Sequence, residues 1–282
     1  MIHSQLEHEH ATALENLTKA GVWDPLGDLR AIAGKHFSSG LEPDGHRLSA
    51  FQLDVAERCA RTPLGHILGY TDFADLRFVV GSGAFIPRLQ SMAMVRWIEE
   101  NLPLDSHSMV YDLCSGVGAI GLSIWSRSGA RVVCVENDPI AQSYLGRNIH
   151  RLCQGRPGVT LCEGDISRLD KFEQARGSVD VVVSNPPYVS AGTELLPEWG
   201  IHHPSGAIYA DDQGGELIEA SARLADLILK PKGALLIEHG EAQGHRVRSL
   251  LEQYGFDSVH TCVDGRFGDS TGPAVVTVGR KA

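Results

Sequence analysis

Aromatic residues make up only 6% of the 282-residue chain, and there are just four methionines. Aliphatic side chains must therefore supply most of the interior. No apolar run approaches the ~18 residues of a membrane span, which sets aside a helix-spanning role. Positive charge is in short supply: 25 Lys and Arg stand against 35 Asp and Glu, a net charge of −10. That balance argues against binding a nucleic-acid backbone. Cys59, Cys114, Cys134, Cys153, Cys162 and Cys262 show no Cys-x-x-Cys spacing, and several fall in apolar strands. They read as reduced core thiols in a cytoplasmic protein, with no metal site. Internal repeats and low-complexity tracts are missing too. The opening Met1–Glu7 stretch is polar and acidic, unlike a signal peptide.

What is present begins with helices over residues 1–62. Leu6, Ala13, Leu14, Leu17 and Ala20 recur at helical spacing, and Gly21 supplies a stop. Asp24-Pro25 restarts the chain, and Ser49 is placed to cap a third helix carrying Phe51, Val55 and Cys59. Acids outnumber bases over residues 1–77, so this segment is not a nucleic-acid binder. His3, His8 and His10 read as a frayed, solvated terminus. Residues 63–90 form a connector with a β-hairpin, Leu76–Val80 pairing with Ala84–Ile86 across Gly81-Ser82-Gly83. A helix over Ser91–Leu102 then leads into residues 91–282.

From Met109 onward strands alternate with helices, the pattern of a doubly wound α/β sheet. Five strands are expected at Met109–Leu113, Arg131–Glu136, Val159–Cys162, Val179–Ser184 and Ala234–Glu238, in the order 3-2-1-4-5. Ser258–Val263 and Ala274–Val278 close the sheet. The first strand runs into Cys114-Ser115-Gly116-Val117-Gly118, where Gly116 and Gly118 let backbone approach a ligand. The second ends in Glu136, placed to bind ribose hydroxyls. The third is followed by Asp165, fitted to contact an adenine amine or to cap a helix.

The fourth strand delivers Asn185-Pro186-Pro187-Tyr188. Two prolines stiffen the turn and leave its carbonyls free as acceptors. Asn185 adds side-chain donors and an acceptor, and Tyr188 adds a flat aromatic face. Together they make a clamp for a planar, NH-bearing group.

These residues resemble the class I S-adenosylmethionine-dependent amino-methyltransferases. Pro63–Gly69, Phe85-Ile86-Pro87-Arg88 and Glu238-His239-Gly240 with Gln243-Gly244 are similar to the HemK/PrmC family. That family methylates the glutamine amide of the Gly-Gly-Gln motif in peptide chain release factors. The resemblance implies a Rossmann-like, seven-stranded domain over 91–282 and a substrate-recognising helical domain over 1–62. It implies S-adenosylmethionine held by Asp112, Cys114, Gly116, Gly118, Glu136, Asp165, Ile166 and Asn185. Asn185, Pro186 and Tyr188 would be catalytic. Phe85, Arg88 and Pro187, with those three, would meet the substrate. The family continues Pro-Arg-Pro-Glu-Thr-Glu where this chain has Pro87-Arg88-Leu89-Gln90-Ser91-Met92. It has a Glu-Pro step where this chain has His203-Pro204, so His202 and His203 become candidates for recognising an acidic group. The drift on the substrate side keeps two alternatives open. One is a relative that methylates a small-molecule amide or guanidino nitrogen, such as that of free arginine. The other is a binding module without catalysis.

Overall fold

The computed structural model describes residues 2–37, 44–269 and 271–282, with side chains from Leu6 onward. Helices α1 (Ile2–Lys19), α2 (Pro25–His36) and α3 (Gly45–Cys59) pack around Leu17, Ile32 and Phe51. Asp24 caps α2 by accepting the Gly27 N–H at 2.9 Å, as its Asp-Pro start predicts. The cap of α3 is Asp44, which accepts from the Arg47 N–H, rather than the expected Ser49. Ser49 instead donates back to the Gly45 carbonyl, one turn inside the helix. His10 is not frayed: its ring lies 5.5 Å from Phe51 and 6.1 Å from Phe37. The His3 side chain lies outside the described residues.

After the short α4 (Leu64–Leu68) comes a hairpin of β1 (Tyr70–Phe73) and β2 (Leu76–Val79). This is one strand earlier than the sequence suggested. Its two-residue turn is Ala74-Asp75, with φ of 52° and 64°. Type I′ geometry was hidden because neither position is Gly or Asn. Gly81 serves a different need, since a Cβ there would lie 2.3 Å from the Tyr144 hydroxyl.

Next come α5 (Met92–Asn101), β3 (Met109–Leu113), α6 (Ala119–Ser128), β4 (Arg131–Glu136), α7 (Pro139–Cys153), β5 (Val159–Glu163) and β6 (Val179–Ser184). A loop follows, bearing β7 (Val189–Ser190), α8 (Pro197–Gly200), β8 (Tyr209–Ala210) and α9 (Asp211–Gly214). The chain ends with α10 (Glu216–Ile228), β9 (Leu229–Glu238), α11 (Gly244–Gln253), β10 (Phe256–Asp269) and β11 (Gly272–Lys281). The last three strands are longer than their apolar cores indicated.

Seven strands form one sheet in the order β10-β11-β9-β6-β3-β4-β5. Strands β5, β4, β3, β6 and β9 are parallel, and β11 and β10 join antiparallel. The uninterrupted valine run of β6 is explained by two covered faces. Val181 and Val183 enter the core beneath α5 and α6, and Val182 enters the core beneath α10. Strand order reverses between β3 and β6, the switch point at which open α/β sheets form a ligand crevice. Among the described residues, no helix is long and apolar enough to cross a membrane.

Candidate active site

A cavity of about 770 Å³ opens over the carboxyl ends of the parallel strands. Its first wall is the glycine turn between β3 and α6. Cys114, Gly116 and Gly118 all take positive φ, 54°, 56° and 85°. A Cβ at Gly116 would meet nothing within 4 Å, so the turn stays open there. Glu136, at the end of β4, lines the cavity and is 8% exposed. One carboxylate oxygen accepts the Gly116 N–H at 2.7 Å; the other accepts those of Asn137 and Asp138, each at 2.9 Å. Burial raises its pKa, while the three N–H groups favour the charged form. Asp165 and Ile166 line the same wall. The Asp165 carboxylate accepts the Ser167 N–H, which lowers its pKa. It closes a turn rather than capping a helix.

Two residues expected to touch a cofactor do not line the cavity. Asp112 is fully buried, accepts the Gly121 N–H at 2.8 Å and so anchors the start of α6 from below. Its other oxygen has no partner, and burial pushes its pKa up to about 7. Gly118 is required by packing: a Cβ there would lie 2.4 Å from Leu145.

The opposite wall carries the clamp. Asn185 Nδ2 donates to Ser91 Oγ at 3.1 Å, and Ser91 Oγ donates to Glu238 Oε2 at 2.7 Å. Among the described residues, nothing donates to Asn185 Oδ1 or to the Pro186 carbonyl. Pro186, Pro187 and Tyr188 all line the cavity. The Tyr188 carbonyl accepts from Gln243 Nε2 at 2.9 Å. A Cβ on Gly214 would lie 1.9 Å from that carbonyl oxygen, which is why the Asp212–Gly215 turn can pack so closely. Burial pushes the Tyr188 phenol pKa up, and Glu238 adds to the effect.

Phe85, Arg88 and Trp199 complete this wall. The Arg88 guanidinium lies 4.9 Å over the Trp199 ring and pairs with Asp269 at 2.8 Å, with Thr271 also bonded. Arg88 therefore lines the cavity while its Nε and Nη2 hold the β10–β11 hairpin. Gln90 Nε2 donates to the Gly272 and Pro273 carbonyls, at 2.9 and 3.1 Å. The segment that departs from the family pattern is therefore a latch on that hairpin.

His202 and His203 do not line the cavity, although Pro204–Ile208 beside them do. His202 faces the Ala60 carbonyl at 3.1 Å. His203 stacks on Trp199 at 4.9 Å, and its Nδ1 lies 2.7 Å from the Glu198 carbonyl. Burial drives its pKa down to about 4, so its ring is neutral near pH 7. Glu198, next to Trp199, is gripped by Arg58 at 3.1 Å and Arg61 at 2.5 Å, which ties this loop to α3 and the turn after it. Ser91 and Asp269 escaped sequence reasoning because their partners lie far along the chain, as do the Arg88 and Phe85 contacts of Trp199. An aromatic residue in a polar loop was the one available signal. Among the described residues, no group of three or more His, Cys, Asp or Glu is arranged to hold a metal ion.

The family model described as Conserved hypothetical protein 95 matches residues 92–239. A release factor glutamine methyltransferase from Mycolicibacterium smegmatis is 34% identical over 285 residues, covering 97% of this chain and 96% of the relative. A 4-amino-L-phenylalanine/4-methylamino-L-phenylalanine methyltransferase from Streptomyces pristinaespiralis is 32% identical, covering 75% and 74%. Among solved structures, the T. thermophilus 16S rRNA N2 G1207 methyltransferase aligns with a TM-score of 0.51 at 18% identity, covering 76% of this chain and 50% of that one. That last likeness concerns the fold alone. The sheet order, the glycine turn and the near full-length match converge: the chain belongs to the release factor glutamine methyltransferase (HemK/PrmC) family, with a class I methyltransferase fold.

Proposed function

We propose that this protein transfers a methyl group from S-adenosylmethionine to the side-chain amide of the glutamine in the Gly-Gly-Gln motif of a peptide chain release factor. The observation that carries the reading is Asn185, its Oδ1 and the neighbouring Pro186 carbonyl both unclaimed among the described residues, on the cavity that Gly116 and Glu136 share. S-adenosylmethionine, when bound, supplies a methyl group activated by a sulfonium. The residues present fit that group. The turn is open at Gly116, and Glu136 Oε2, which accepts a single N–H, keeps an acceptor site for a ribose hydroxyl, whereas Oε1 already accepts two. Asp165 and Ile166 offer an acceptor and an apolar surface for a base.

An amide nitrogen is a weak nucleophile because its lone pair is delocalised. Asn185 Oδ1 and the Pro186 carbonyl accept its two N–H bonds and turn the lone pair toward the methyl donor. Positioning of this kind supplies much of the rate in bimolecular transfers. The same acceptors stabilise positive charge as it develops on nitrogen, while the sulfonium–methyl bond would break and one amide proton would be released to solvent. Tyr188 covers the flat face of the amide, and Phe85 packs on the aliphatic stem. The helical segment 1–62 recognises the release factor, 63–90 connects, and 91–282 carries out the transfer in the cytoplasm. The grip of Arg58 and Arg61 on Glu198 supports this division of labour.

Labelled methyl donor offered with intact release factor, free glutamine, free arginine and 4-amino-L-phenylalanine in parallel tests the reading. Label is expected on the release-factor glutamine. Label confined to a small molecule would transfer the assignment to the small-molecule alternative.

A further inference from the structure

Glu238 ends β9 with its carboxylate 1% exposed, at the cavity, and among the described residues its Oε1 has no hydrogen-bond partner. Its Oε2 takes the Ser91 hydroxyl proton, and Ser91 Oγ in turn receives Asn185 Nδ2. We propose that Ser91 and Glu238 are positioning residues, forming a one-way hydrogen-bond chain that holds the Asn185 carboxamide with Oδ1 toward the reacting nitrogen. The proposal rests on the reading of Asn185 as the amide acceptor.

The direction follows from donor bookkeeping. An ionised carboxylate can only accept, and a serine hydroxyl has one proton. With that proton given to Glu238, Ser91 Oγ has only lone pairs to show Asn185. The amide must then present its NH₂ group to Ser91 and its carbonyl oxygen to the cavity. A flipped amide would set Oδ1 against Oγ with no hydrogen between them.

Protonation of Glu238 removes the constraint. A carboxylic acid can donate to Ser91 as well as accept from it, so the serine proton is free to turn to Asn185 and the amide to reverse, presenting donors where acceptors are needed. The groups facing Glu238 make this reversal accessible near neutrality. Burial raises its pKa to about 7; Arg88 opposes the rise, and Asp269 on β10 adds to it. The Tyr188 phenol also faces it from the clamp. Val276 of β11, opposite in register, is apolar, and His239 is turned away to Thr277 at 2.7 Å. The active, ionised state of Glu238 is the one populated above its pKa, so kcat rises with pH through that value.

The test measures kcat, KM and cofactor affinity from about pH 5.5 to 9 with release factor as substrate, for wild type, Ser91→Ala, Ser91→Thr and Glu238→Gln. Wild type is expected to show an acid limb in kcat near neutrality. Ser91→Ala should lower kcat about 10–100-fold at high pH, leave cofactor affinity unchanged and abolish the limb. Ser91→Thr, which restores the hydroxyl, should recover both rate and limb. Glu238→Gln, which cannot ionise, should lose the acid limb and give a kcat that does not vary with pH through this range. A limb that persists in Ser91→Ala, unchanged kcat in that variant, or Ser91→Thr as impaired as Ser91→Ala would overturn the proposal. If Ser91→Ala does not fold, a flat wild-type profile overturns it alone. Near-normal turnover in Asn185→Ala would instead remove the underlying reading of the clamp.

Discussion

The two walls of the cavity are held together over very different distances along the chain. On the wall formed by β3, β4 and β5, partners are close in sequence. Glu136 holds Gly116 from 20 residues away and Asp138 from two, and Asp165 holds Ser167 from two. On the clamp wall, Asn185 meets Ser91 across 94 residues and Ser91 meets Glu238 across 147. Arg88 meets Asp269 across 181, and Arg61 meets Glu198 across 137. The first wall is completed as neighbouring strand–helix units form. The second exists only once the connector, the loop over 191–208 and the β10–β11 hairpin have docked on the sheet. Substitutions on the first wall should therefore act on cofactor affinity alone, and those on the second should spread into rate or stability.

The sharpest division is expected from Asn185→Ala. The variant should lose about 10²–10³-fold in kcat, as removal of a preorganised polar group typically does. Calorimetric affinity for S-adenosylmethionine should stay as in wild type, because the turn and Glu136 lie on other strands. A matching loss of cofactor affinity would dissolve the distinction between the walls.

Glu136→Ala should produce the reverse pattern. Hydrogen bonds to a charged group contribute about 1.5–3 kcal/mol, so affinity for the cofactor should fall roughly 10–150-fold. Part of that loss comes from the turn, since the Gly116 N–H also loses its acceptor. Unchanged affinity by calorimetry would take Glu136 out of the site.

The same difference in span governs what the sequence reveals. The ends of β3, β4 and β6 are marked by apolar runs that stop at polar or glycine residues, so Glu136, Gly116 and Asn185 can be found by reading along the chain. The hairpin at Tyr70–Val79 was displaced because Ala74-Asp75 adopts a turn that its residue types do not advertise. The resemblance places Asp112 beside the cofactor, but a motif cannot say that its carboxylate points beneath the turn, to Gly121. His203 and Gln90 were legible as departures from a pattern, but their partners, the Glu198 carbonyl and the hairpin carbonyls, are tertiary facts.

Gln90→Glu probes how the second wall is latched, and it restores the acid that the family pattern carries. In this chain the side-chain NH₂ group faces the carbonyls of Gly272 and Pro273, with Asp269 beside them. A carboxylate there loses both donated bonds and meets three oxygens. The expected cost is about 1–3 kcal/mol in denaturant unfolding, together with a lower kcat as the hairpin tip pulls away from Arg88. An unchanged midpoint and rate would show that the latch contributes nothing to the wall.

The smallest effect expected at neutral pH, and one whose sign depends on pH, belongs to His203. At about pH 7.5 the ring is neutral in both the folded and the unfolded chain. His203→Phe keeps a ring beside Trp199 and loses only the bond to the Glu198 carbonyl, a cost of about 1 kcal/mol. Below the unfolded pKa of 6.5 the balance shifts. The unfolded chain takes up a proton that the folded chain refuses until its own pKa of about 4. Wild type therefore loses stability as pH falls through that window, by about 3 kcal/mol at its lower end, and the phenylalanine variant is spared that share. Asp112 and Glu238, with raised values, act in the opposite direction in both proteins and cancel in the difference. Unfolding free energies measured from pH 7.5 down to about 4.5 should thus cross, with His203→Phe the less stable protein at the top and the more stable at the bottom. Parallel curves would mean that His203 is protonated in the folded chain, and would return it to the candidates for meeting an acidic group on the substrate.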